Sequence, residues 1–104
     1  MTKEQAIEIA EKFLATINGK YSVKSAWLFG SYVNGNQKTD SDIDIAIVLN
    51  DFDDRFTAQF DLMKLRRNID LRIEPHPFRE KDFSIKDPMV NEILKSGIQL
   101  KGFA

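Results

Sequence analysis

Between Asp42 and Leu49 the chain alternates without a break: Ile43, Ile45, Ile47 and Leu49 are apolar, and Asp42, Asp44, Ala46 and Val48 occupy the positions between them. A period of two is that of a β-strand, whose successive side chains leave opposite faces. One face of this segment is therefore wholly aliphatic and must lie against a core. The other begins with two carboxylates, which makes one strand end strongly anionic.

The remaining segments supply what such a strand needs around it. Thr2 and Gln5 have the spacing of a capping box, and Ala6, Ile9, Ala10, Phe13, Leu14 and Ile17 recur at helical intervals as far as Gly19. Val23 to Phe29 is a short apolar run that breaks at Gly30, as a buried strand would, and residues 31–41 form a polar turn or short helix. The acidic run Asp51 to Asp54 can cap a helix whose apolar face is Phe56, Phe60 and Met63, flanked by Leu62 and Leu65, ending near Asn68. Ile69, Leu71 and Ile73 then alternate with Asp70, Arg72 and Glu74, which predicts a second alternating strand that Pro75 and Pro77 interrupt. Asp87 and Pro88 open a last helix carrying Val90, Ile93 and Leu94; Gly97 closes it, and Ile98 to Lys101 adds a short strand. This order predicts an α/β (α+β) fold, a small mixed β-sheet covered by helices, in a single domain spanning residues 1–104.

Composition narrows the function classes. Fifteen Lys and Arg against sixteen Asp and Glu leave a net charge of −1, which lacks the electrostatic footprint of a nonspecific nucleic-acid binder. Without cysteine there is no disulfide framework, thiolate zinc site or cysteine nucleophile, so any metal is held mainly by oxygen. No apolar run approaches a membrane span, and Met1 to Glu11 lacks a signal peptide's apolar region, so the expected location is cytoplasmic. Trp27, Phe29, Phe56 and Phe60 read as core, and Lys64, Arg66 and Arg67 as a solvated helix face. His76, between two prolines and without companions at metal-ligand spacing, reads as a loop residue.

Two candidate chemical features flank one loop. Asp42 and Asp44, two residues apart on a strand, project from one face roughly 6 to 7 Å apart, so their carboxylates can converge on a hard cation such as Mg²⁺. Gly30 and Ser31 follow an apolar strand and can open a short helix, where free backbone N–H groups favour a phosphate.

Gly30-Ser31, ten intervening residues and Asp42-Ile43-Asp44 together resemble the signature of the DNA polymerase beta-like nucleotidyltransferase superfamily, and most closely its minimal branch, whose small proteins often act with HEPN-class partners. The resemblance implies a nucleotidyltransferase-like fold and Mg²⁺-dependent transfer of a nucleotide, AMP from ATP foremost among the NTPs, onto an acceptor hydroxyl. It implies two Mg²⁺ ions held by Asp42, Asp44 and a third carboxylate, with Gly30 and Ser31 on the nucleotide phosphates. The matching position assigns the third carboxylate to Asp70, with Glu74 in reserve. The minimal branch also implies a small helical HEPN-type toxin, encoded nearby, as partner and acceptor, with this chain as antitoxin. Many relatives carry arginine before the second glycine, where this chain has Asn34; Lys38 is the nearest replacement. Transfer to RNA or a small molecule, and a catalytically weak partner-binding module, are the alternatives that the residues leave open.

Overall fold

The computed structural model describes residues 1–38, 40–50 and 52–101. Its elements are α1 (Lys3–Ile17), β1 (Val23–Phe29), a single-turn α2 (Ser31–Asn34), β2 (Ile43–Leu49), α3 (Arg55–Leu65), β3 (Ile73–Arg79), α4 (Pro88–Ser96) and β4 (Ile98–Gln99), with 3₁₀ turns at Arg66–Asn68 and Glu80–Asp82. The strands form one sheet in the order β3-β2-β1-β4. β1 is antiparallel to β2 and β4, whereas β2 and β3 are parallel. The expected α+β fold, a small mixed sheet covered by helices, is thus the one observed.

Local chemistry fixes the helix ends as anticipated. Gln5 N–H donates to Thr2 Oγ1 (3.1 Å) and Thr2 N–H to Gln5 Oε1 (2.8 Å), closing the capping box. Asp87 caps α4 through Met89 N–H (2.9 Å), with Pro88 inside the first turn. Asp54 caps α3 through Thr57, while Asp51 of the same acidic run lies outside the described residues.

The alternation of β2 divides the interior. Ile43, Ile45, Ile47 and Leu49 join Ala6, Ala10, Phe13, Leu14 and Ile17 of α1 and Leu62 of α3 in one core. Ala46 and Val48 face the other way and pack with Phe78, Val90 and Ile93 under α4. No described helix is long and apolar enough to cross a membrane.

Two expectations are corrected. The strand expected from Ile69 lies further along, and it runs through both prolines. Its early residues are drawn into turns, because the N–H groups of Ile69 and Asp70 both donate to Arg66 O (2.9 Å each). The prolines are tolerated because β3 is an edge strand. Ile73 O and Pro75 O point away from β2 and accept from Arg66 Nη1 (2.7 Å) and Gln59 Nε2 (3.1 Å). Pro75, and by alternation Pro77, therefore sit where the ladder needs no N–H.

In α3 the expected apolar face is turned outward. Phe56 is 86% and Phe60 63% exposed, and the buried residues are Ala58 and Leu62. Asp61 accepts from Tyr21 Oη (2.6 Å) and pairs with Lys20 (2.8 Å), while Gln59 reaches β3 on the other flank. Those two anchors set the helix rotation, and the stripe between them is the small one. Leu62→Ala should therefore cost about 2–5 kcal/mol, whereas Phe56→Ala should stay within about 0.5 kcal/mol, as measured by urea unfolding.

Candidate active site

β1 ends by turning sharply at Gly30, whose φ of 84° and ψ of −147° suit glycine alone among ordinary residues. The turn is also sterically committed, since a β-carbon on Gly30 would overlap Asp44 Oδ2. Gly30 O accepts from Val33 N–H (3.0 Å) and Asn34 N–H (3.1 Å), which starts α2 with Ser31 half-buried in its first turn. Gly35, at φ 78°, closes α2 in the left-handed conformation. The Gly-Ser turn is thereby folded against the Asp44 carboxylate.

Asp44 lies in a row that crosses three strands, opposite Phe29 of β1 and Glu74 of β3. Two residues further in, Ala46 is paired with His76. The small alanine leaves room for the imidazole, whose Nε2 lies 3.2 Å from Asp44 Oδ1, a hydrogen bond when Nε2 carries the proton. The Phe29 ring tilts against His76 with centroids 5.1 Å apart. Both polar side chains stay partly open, His76 at 18% and Asp44 at 25%. The α4 residues pack with Ala46, Val48 and Phe78, so the Asp44–Glu74 row lies beyond their cover. Asp42 directly precedes β2 and is exposed.

His76 is thus a β3 residue facing the site, not a loop residue. The signal that locates it was present: Ile73, Pro75 and Pro77 are buried and alternate with Glu74 and His76. Reading the prolines as a break hid that alternation.

Asp70 sits elsewhere. It precedes β3, and Oδ1 accepts from Arg72 N–H (2.9 Å) and Nε–H (2.9 Å) while Oδ2 accepts from Nη2–H (2.7 Å). These hydrogen bonds from Arg72 hold the Asp70 carboxyl below its ordinary value, outweighing the partial burial that opposes them. Arg72 itself borders a cleft of about 410 Å³ with Met1, Gln5, Glu8 and Ile9, on the α1 side of the sheet. Of the four carboxylates named from the sequence, Asp42 and Asp44 lie at the start of β2, Glu74 is set opposite Asp44, and Asp70 falls outside the β2–β3 register. Asn34 is exposed at the end of α2, and Lys38 is exposed in the loop that follows, its N–H donating to Ser41 Oγ (2.7 Å).

Among the described residues, no group of three or more His, Cys, Asp or Glu side chains is placed to hold a metal ion. What this strand end offers is carboxylate oxygen, from the exposed Asp42, the partly open Asp44 and Glu74 opposite it. That suits a hard divalent cation whose shell is completed by water and substrate phosphates.

Residues 11–102 match the family model described as Polymerase beta, Nucleotidyltransferase. The chain belongs to this family. Its nucleotidyltransferase-type fold is similar to a MntA–HpeT toxin–antitoxin structure at 27% identity and a TM-score of 0.64, over 89% of this chain and 72% of that one. A toxin–antitoxin structure with AMP-PNP gives 26% identity and a TM-score of 0.63, over 90% and 73%. A provisionally named nucleotidyltransferase from Sulfolobus solfataricus shares the fold, with a TM-score of 0.66 at 17% identity over 93% and 80%. In sequence, the chain is 46% identical over 46 residues to a protein of Methanocaldococcus jannaschii provisionally named a protein adenylyltransferase. That match covers 44% of this chain and less than half, 46%, of the relative.

The Asp70–Arg72 pair carries a pH signature of known sign. A carboxyl held below its unfolded value of 3.8 contributes stability that is complete above that value and lost as pH falls through the folded one. Asp70→Asn should therefore flatten the acid limb of the stability–pH curve below about pH 4, seen by urea unfolding at stepped pH, and lower stability near neutrality.

Proposed function

We propose that this chain is a single-domain, Mg²⁺-dependent nucleotidyltransferase that moves an NMP, AMP from ATP foremost, onto a hydroxyl of a protein partner. In this reading it is the antitoxin of a small helical HEPN-type toxin. The observation that carries it is the close approach of Gly30 to Asp44, which makes the turn proposed to hold phosphate and the carboxylate proposed to hold metal neighbours. The likeness to toxin–antitoxin structures, one with AMP-PNP, supports the partner and the nucleotide. The M. jannaschii relative's name supports a protein acceptor.

Asp42 and Asp44 are the proposed Mg²⁺ ligands, and Glu74, opposite Asp44, is proposed as the third carboxylate in preference to Asp70, whose oxygens are taken by Arg72. When bound, Mg²⁺ supplies charge neutralisation at the triphosphate and lowers the pKa of a coordinated hydroxyl. Gly30 admits the β and γ phosphates close to the backbone, and the Ser31 hydroxyl donates to them. The acceptor oxygen bonds to the α-phosphorus as the bond to the bridging oxygen breaks. Pyrophosphate leaves with that electron pair, and Glu74 takes the hydroxyl proton. His76 holds Asp44 at Oδ1 and so orients it toward the nucleotide.

The second reading, a catalytically weak partner-binding module of the same fold, is favoured by Asn34, exposed where many relatives place arginine. Incubation with α-labelled ATP, Mg²⁺ and the protein encoded next to this chain distinguishes the two. Label should appear on the partner, vanish with Asp42→Asn/Asp44→Asn, and fall roughly 10²-fold or more with Glu74→Gln. His76→Ala should cost about 10- to 100-fold, as loss of a ligand-orienting partner does. Asp70→Asn should leave turnover close to the parent's. Partner binding without any label transfer would sink the enzymatic reading.

A further inference from the structure

Helix α3 is apolar on two sides. Its inner stripe, Ala58 and Leu62, is buried against the sheet side. Its outer stripe runs through Phe56, Phe60 and Met63 and continues past the helix end to Leu71, with Phe56, Phe60 and Leu71 at 86%, 63% and 67% exposure. Such a stripe of large apolar side chains on one helix of a small protein is the kind of surface that marks an interaction site.

The stripe has a sign. Phe60, Met63, Lys64, Arg66, Arg67 and Leu71 line one groove of about 190 Å³, which includes three basic residues and no acidic one. Lys64 Nζ lies over the Phe60 ring at 4.7 Å, and Arg66 is tied to Ile73 O. Arg67 is exposed. The acids of the same segment are committed away from the groove, Asp61 to Tyr21 and Lys20 and Asp70 to Arg72.

We propose that this groove docks an acidic amphipathic helix of a partner protein. An apolar ridge on that helix covers Phe56, Phe60 and Leu71, and carboxylates flanking the ridge pair with Lys64 and Arg67. A second copy of this chain fits poorly, since a two-fold contact would set one basic groove against another. RNA fits less well, because Phe56 and Phe60 can stack on bases but Met63 and Leu71, which continue the stripe, cannot, and the chain as a whole carries −1. The proposal rests on the reading that the chain works with a protein partner and names the surface it uses. It is independent of catalysis, because α3 covers the sheet face opposite the one that carries Asp44 and His76.

The test uses two synthetic helical peptides of one apolar pattern, Leu and Phe at helical spacing, flanked by Glu in one and by Lys in the other. Binding is read by fluorescence anisotropy, and the contact residues by amide NMR shifts. The Glu peptide should bind, shift residues of α3 and the turn before β3, and weaken with salt. Phe60→Ser and the charge reversal Lys64→Glu/Arg67→Glu should each weaken it by at least about tenfold, with circular dichroism and melting showing the variants folded. The charge reversal should gain affinity for the Lys peptide. Equal binding of both peptides by the parent, shifts confined to other elements, or full binding by folded Phe60→Ser would overturn the proposal. So would self-association, or binding of poly(U) RNA, that these substitutions abolish. Asp42→Asn/Asp44→Asn should bind the Glu peptide as the parent does. If Phe60→Ser labels the partner as well as the parent at limiting partner concentration, the groove is wrong while the transferase reading stands.

Discussion

β2 is hydrogen-bonded along both edges, antiparallel to β1 and parallel to β3, and six of its seven residues are buried. Such a strand has little freedom of register, because a slip of one residue would exchange its aliphatic face for the face that begins with Asp44. Everything polar at the site follows from that constraint. The only half-exposed side chain in β2 is the carboxylate at its N-terminal end, and the neighbouring strands bring Phe29, Glu74 and His76 to the same place. Gly30 completes the arrangement, since the turn after β1 can rest on Asp44 only if it carries no β-carbon.

Charge is sorted in the same way. Each sheet face has its own apolar core, so ionisable groups are left at strand ends and on outer helix surfaces. At the β2 end the carboxylates stay exposed or partly open to solvent. Asp70 is neutralised locally by Arg72 on the α1 side and Asp61 by Lys20, while burial first and the Asp61 carboxylate second push the pKa of the Tyr21 hydroxyl, which donates to Asp61, up to about 12. These pairs serve the fold, holding the start of β3 and the rotation of α3. They also leave the outer surface of α3 basic.

Membership of the polymerase beta nucleotidyltransferase family agrees with this division. The segment from Gly30 to Leu49 holds the motif and was legible residue by residue, because a glycine turn, a strict alternation and two carboxylates are all local features. The carboxylate that the sheet sets opposite Asp44 was not, because opposite partners are defined by the β2–β3 register, and the sequence pattern around Asp70 looks as strand-like as the one around Glu74. Prolines carried the wrong message there. On an edge strand their missing N–H groups are harmless, and edge position is not a property of the segment itself.

Sequence alone determined the helices with their caps, the alternation of β2, the glycine turn and the mixed α+β class, since each depends on neighbours within a few residues. The tertiary structure decided which stripe of α3 is buried, where β3 begins, that His76 meets Asp44, and which carboxylate faces it. Most of those outcomes depend on contacts between residues distant in the chain, such as Asp61 with Tyr21, Gln59 with Pro75 and Asp44 with His76, while the start of β3 follows from the turn that Arg66 O closes with Ile69 and Asp70. In α3 two apolar stripes compete for one core, and the helix rotation set by its anchors, rather than hydrophobicity, selects the smaller.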